Sequence, residues 1–160
     1  MERPTRGELI IAACGAVLIV TSFLKLWGRY ECPTCPPEAR WSQVTLWSEA
    51  FSVPTKAAVV LVVALLLLIL VRLIGVALPW PPGRIYVGAG SLVTLLFVTS
   101  VMAGPSDLGF GDTPLLEVSR GPMLLLSWVL ALGILYGALR HMRETFVAKR
   151  RVGPGPVVLR

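Results

Sequence analysis

The sequence predicts an all-α bundle of four transmembrane helices, with both termini cytoplasmic and a short interfacial helix in the first outer loop. Three observations carry that prediction. Hydrophobic residues make up 55% of the 160-residue chain and charged residues 15%, where soluble domains have roughly 45–50% and about 25%. The apolar residues gather in a few long runs instead of recurring at helical or strand spacing. The Lys and Arg residues fall unevenly on the two sides that those runs define.

A bilayer core of about 30 Å needs ~20 apolar residues in helical form. The first such run covers residues 9–27 and is uncharged until Lys25. The second, 57–78, is an almost unbroken Val/Leu stretch with Arg72 in its last third. The third covers 85–104 and the fourth 121–139. β-Branched residues abound in the second and third, but run length overrides strand propensity, because a helix satisfies its own backbone polar groups in lipid.

The connections fit this division. Leu78-Pro-Trp-Pro-Pro-Gly83 is a tight link whose prolines stop one helix and space it from the next. The stretch Pro105-Ser-Asp-Leu-Gly-Phe-Gly-Asp-Thr-Pro114 is turn-rich. Ser119 is expected to cap the last span, with Pro122 in its first turn. Residues 1–144 therefore form the membrane domain. The basic stretch 140–151 is expected to extend the last helix into the cytoplasm and to fray at Gly153-Pro-Gly-Pro156, leaving 145–160 a partly disordered tail.

Orientation follows from Lys and Arg counted by side. Ten lie on the side of the termini and the Pro-rich link, and five in the two other loops. The positive-inside rule puts the ten in the cytoplasm, hence a multi-pass protein of the plasma membrane. Trp27 and Tyr30 outside, and Trp80 and Tyr86 inside, stand where interfacial aromatic belts are expected. The stretch Ile11-Ala-Ala-Cys14-Gly15 is similar to a lipoprotein cleavage site, but only five apolar residues precede Cys14, too few for a signal peptide.

The net charge of +6 brings no groove-fitting basic motif, so nucleic acid is not an expected partner. A single histidine leaves no metal site, cofactor site or catalytic triad to assign. Cys32-Pro-Thr-Cys35 in the first outer loop is expected to close a small disulfide, with thiol exchange as the alternative. Pro36-Pro37 follows directly, so the pair does not open a helix that would activate a thiolate. A redox relay would also need a second pair, and residues 105–120 contain no cysteine.

Trp41, Val44, Trp47 and Phe51 fall on one face of a helix, away from Ser42, Thr45 and Glu49. They predict an interfacial helix, ended by Pro54, that packs as a lid or docks a partner. Gly133 and Gly137 form a GxxxG pair suited to close helix packing, within the bundle or between copies. Within the spans the expected ionisable residues are Lys25 and Arg72, each near an end from which it can reach water. Transporters and proton relays need such groups inside the bilayer. The leading expectation is therefore a non-enzymatic membrane subunit or scaffold whose outer loops meet a membrane partner or a second copy. The alternative is an extracytoplasmic thiol-redox protein using Cys32 and Cys35.

Several segments together resemble a family of small uncharacterised four-helix membrane proteins from actinobacteria. They are Arg6-Gly-Glu-Leu-Ile, Ser22-Phe-Leu before Trp27, Trp47-Ser-Glu-Ala-Phe-Ser52 and Leu116-Glu-Val-Ser-Arg-Gly121. The resemblance covers residues 6–144 and implies the same topology without an activity. Lys25-Leu26-Trp27 lacks the proline the family carries there, and the Cys32/Cys35 loop is outside the family pattern.

Overall fold

The computed structural model describes residues 4–31, 41–47, 53–76, 81–103, 108–110 and 113–151. Among them are four helices: α1 (Arg6–Ser22), α2 (Val53–Ile74), α3 (Pro82–Ala103) and α4 (Pro122–Arg151). They run up and down in turn. α1 packs against α2 and α4, and α3 packs against α2 and α4, which closes a four-membered ring.

The helix ends are set by local chemistry. Thr5 caps α1 and forms a capping box with Glu8, in which each residue's side chain takes the other's backbone N–H. α2 opens with Pro54 in its first turn, where the missing N–H does no harm, so the helix begins at Val53, four residues before the start of the run that the sequence reading gives. α2 stops at Gly75, whose φ of +95° is a left-handed conformation that favours glycine. Gly75 N–H donates to Arg72 O at 2.9 Å and Val76 N–H to Val71 O at 3.3 Å, the paired bonds of a Schellman stop. Pro82 and Pro122 occupy the first positions of α3 and α4.

The first helix ends earlier than its apolar run. Residues 23–27 turn under the bundle instead of continuing it. Trp27, expected in an exposed belt, is fully buried, and its Nε1 donates to Thr21 O at 2.6 Å. Gly121 sits against this turn: its N–H donates to Trp27 O at 2.8 Å, and an added Cβ would lie 2.6 Å from the Trp27 carbonyl carbon.

Beyond this end lies a four-stranded antiparallel sheet that the all-α reading omits. Its strands are β1 (Gly28–Glu31), β2 (Trp41–Val44), β3 (Leu108–Phe110) and β4 (Thr113–Arg120), in the order β2-β1-β4-β3. The interfacial helix is thereby corrected. Trp41 and Val44 belong to β2, opposite Glu31 and Gly28, and Leu46 and Trp47 form a turn. Aromatic and β-branched residues suit a strand when a partner strand is at hand, and β1 supplies it. Ser119, expected to cap α4, is in β4 opposite Arg29. Phe51, Cys32 and Cys35 lie outside the described residues.

Inside the ring the core is apolar, built from Ile11, Leu18, Val62, Leu65, Val93, Phe97, Leu124, Ala131 and Ile134. Outside it, Val20, Leu67, Leu70, Leu95, Leu125 and Val129 are exposed. Three helices are long and apolar enough to cross a membrane: Val53–Ile74, Pro82–Ser100 and Pro122–Ala148. Only 28–33% of the most apolar window in each is buried, so most of their apolar surface faces outward, as lipid contact requires. α1, at 17 residues, rises about 26 Å.

Small residues let α1 and α4 approach. An added Cβ would lie 2.7 Å from Cys14 Sγ at Gly133, and 2.9 Å from both Gly7 O and the Ile11 side chain at Gly137. At Gly7 it would lie 2.5 Å from Gly137 O and 2.7 Å from His141 Cα. Gly88, by contrast, has nothing within 4 Å of its added Cβ. Gly7→Ala should therefore destabilise the protein by roughly 1–3 kcal/mol through overpacking. Gly88→Ala should stabilise it by up to about 1 kcal/mol through helix propensity. Denaturant unfolding of both variants in one detergent checks the opposite signs.

Candidate functional site

At the end of the bundle opposite the sheet, each helix brings a polar side chain to one point. α1 contributes its first turn, α2 its last, α3 its first turns and α4 its later half, because adjacent helices are antiparallel. The residues that meet are Thr5, Glu8, Arg72, Tyr86 and His141.

Glu8 is the centre, with a side chain 1% exposed. Its Oε2 accepts from Thr5 N at 2.9 Å and from Thr5 Oγ1 at 3.2 Å. Its Oε1 accepts from Arg72 Nη1 and from Tyr86 Oη at 3.2 Å. Both oxygens are thus used, which a buried carboxylate requires. The helix termini help as well, since Glu8 lies in the first turn of α1 and Arg72 in the last turn of α2, each at the end whose dipole favours its charge.

His141 joins from α4. Its ring is fully buried, and Nδ1 lies 2.8 Å from Thr5 Oγ1 and 4.0 Å from Glu8 Oε1. Tyr86 meets the imidazole edge-on, with ring centroids 5.0 Å apart. Nε2 is buried without a hydrogen-bond partner among the described residues. The absence of a side chain at Gly7 lets the His141 backbone come this close.

The arrangement corrects two readings of the sequence. Arg72 does not simply reach for water; it turns onto Glu8 and is 18% exposed. Tyr86 and His141 are core residues, neither an interfacial belt nor a tail. The signals available were the T-x-x-E capping box at Thr5–Glu8 and the placement of Glu8, Tyr86 and His141 within two residues of the same end of their spans.

The other residues singled out lie apart from this cluster. Trp47 is at the sheet end, where its Nε1 donates to Ser22 Oγ at 3.3 Å and its ring stands 5.9 Å from that of Phe23. Gly133 and Gly137 face α1, with Gly137 one turn before His141. Cys14 is a free thiol packed toward Gly133. Two polar pairs cross the apolar middle and the far end: Thr94 Oγ1 to Ala131 O at 3.3 Å, and Thr55 Oγ1 to Ser100 Oγ at 2.8 Å. Among the described residues no three His, Cys, Asp or Glu side chains are grouped to hold a metal ion.

Comparison of the chain with protein-family models, curated proteins and solved structures returned no match.

Chemically the cluster can do two things. It can hold an ion pair out of water, and it can exchange a proton at an imidazole that is wired through Thr5 to a carboxylate. The first makes a stability prediction. Glu8→Gln leaves the Arg72 cation facing a neutral amide and should cost roughly 3–5 kcal/mol. Tyr86→Phe removes one of several donors and should cost about 1–2 kcal/mol. Unfolding of the two variants by a denaturing detergent, measured side by side, checks the order.

Proposed function

We propose that the chain is a four-span integral protein of the plasma membrane, with both termini cytoplasmic, acting as a non-enzymatic subunit or scaffold that presents its outer loops to a membrane partner. The observation that carries this reading is the sheet. Strands from the first outer loop and from the connection between α3 and α4 pair through β1 and β4, so two separate loops form one surface. A sheet is stiffer than two independent loops, and its edge strands β2 and β3 offer main-chain groups to which a partner strand can add.

Four crossings are supported by the antiparallel packing of α1 along α4, from Gly7 beside His141 to Trp27 beside Gly121. α1 thereby occupies the same layer as the three longer helices. The cytoplasmic side is supported by the excess of Lys and Arg at the end that carries both termini.

The alternative is a thiol-redox role for Cys32 and Cys35 in the connection between β1 and β2. It rests on the CxxC spacing of Cys32 and Cys35 in the sequence between β1 and β2. Cys14 offers no relay, since it packs against Gly133 eight residues before α1 ends, about 12 Å along the helix.

A photo-crosslinking residue at Gln43, which is exposed in β2, tests the scaffold reading in intact cells. The expected result is one discrete adduct containing the same protein that co-purifies in mild detergent. An adduct of twice the chain mass makes that partner a second copy. Bare monomer in both experiments contradicts the scaffold reading. A mixed disulfide trapped on Cys32 in a Cys35→Ser variant would replace it with the redox one.

A further inference from the structure

His141 is the sole histidine of the chain, and it belongs to the cluster to which all four helices contribute a side chain. Thr5 Oγ1 accepts from Glu8 N at 3.2 Å and lies within bonding distance of both His141 Nδ1 and Glu8 Oε2. One hydrogen order forms both the Nδ1–Oγ1 and the Oγ1–Oε2 bond. Nδ1–H donates to Thr5 Oγ1, and the threonine O–H donates to Glu8 Oε2. In that order Nε2 carries a bare lone pair. It is buried, and no donor among the described residues meets it.

We propose that Nε2 of His141 is a proton-binding site, and that proton uptake there moves the hold of Glu8 from Arg72 to the imidazolium, loosening the end of α2 from α1. A hydronium ion gives up a proton: its O–H bond breaks, the N–H bond forms on the Nε2 lone pair, water is released, and no bond within the protein breaks. The Nδ1–Thr5–Glu8 chain survives the step, because Nδ1 is a donor before and after it.

The new cation lies 4.0 Å from Glu8 Oε1, the oxygen that Arg72 and Tyr86 also use. Two cations then share one carboxylate, where like charges repel. Glu8 and His141 are almost wholly enclosed and belong to helices locked together at Gly7. Arg72 is the partly exposed member, in the last turn of α2, three residues before the stop at Gly75. It is therefore the group that turns out to water.

The charged and titratable groups around the ring are few. Glu8 from α1 lies 4.0 Å from Nδ1, and Arg72 from α2 is paired with Glu8. Tyr86 from α3 touches the ring edge. On α4 itself Glu144 follows three residues after His141 and is paired with Arg140, whose Nε donates to it at 3.0 Å. Further into the bundle the core is apolar, with Ile11, Leu65, Val93 and Ile134. The site thus reports the pH of one side of the membrane and offers no proton path across it.

The test uses the whole protein in nanodiscs of neutral lipid, with its one imidazole labelled with nitrogen-15. Over the range from about pH 8 to about pH 5, the ring should pass from neutral, with its proton on Nδ1, to imidazolium. Amide protection factors over residues 71–75, exchange rates corrected for the intrinsic base-catalysed rate at each pH, should fall about tenfold with the same midpoint. In His141→Asn, whose amide can still donate to Thr5, the protection factors over 71–75 should stay constant across that range. A ring that stays neutral throughout, or one that titrates without loosening 71–75, overturns the proposal. So does a folded His141→Asn protein that keeps the response, since a carboxylate would then carry it. The two measurements on the unaltered protein decide the matter even if that variant fails to fold.

Discussion

An ionised carboxylate taken out of water needs a donor for every lone pair it cannot leave bare, and Glu8 imposes that requirement on α1, α2 and α3 together. Thr5 closes one side through the capping box, while Arg72 and Tyr86 close the other. His141 completes the set from α4 by way of Thr5. Sliding any one helix by a turn, about 5.4 Å, would take its side chain out of reach and leave a charge or a polar atom buried alone. The cluster thus fixes the relative heights of four helices whose apolar faces would tolerate other registers. A buried ion pair adds less net stability than its Coulomb energy suggests, and register is the use it is best fitted to here.

The remainder of the molecule is arranged around that fixed end. Moving away from it, the core becomes apolar, with small residues at Gly15, Gly90 and Gly133 letting helices close in. At the opposite end the loops return on themselves. Trp27 folds under α1, Gly121 locks onto it, and β1 lies between β2 and β4. The ionisable side chains of the interior thus gather at that one end, Thr94 makes a polar contact in the middle, and the slab between presents apolar surface outward.

The four helices were legible in the sequence because run length and apolar content suffice to mark them. Their ends were less so. Pro54 reads as the stop of a preceding helix when it lies in the first turn of α2, and Trp27 extends an apolar run that the chain has already left. The sheet was hidden for a different reason. The spacing of Trp41, Val44 and Trp47 fits a helical face, and what decides in favour of strand is β1, a partner ten residues and more away, itself paired with β4 from another loop. The cluster was the hardest to see, because each member has an ordinary local explanation. Glu8 suits a first turn, Arg72 a positive-inside flank, Tyr86 an interfacial belt and His141 a basic tail. Only the antiparallel geometry of four helices puts them at one level, and no single segment carries that information.

The central claim is that Glu8 and Arg72 act as one unit that ties α1 to α2. A double-mutant cycle of Glu8→Gln and Arg72→Gln, read by equilibrium unfolding in one detergent, measures that directly. The account predicts a coupling of roughly 2 kcal/mol or more, with the double variant less damaged than the two single losses combined. A coupling below about 0.5 kcal/mol, with the losses simply adding, would mean that the two charges do not depend on one another and that something else holds the helices in register.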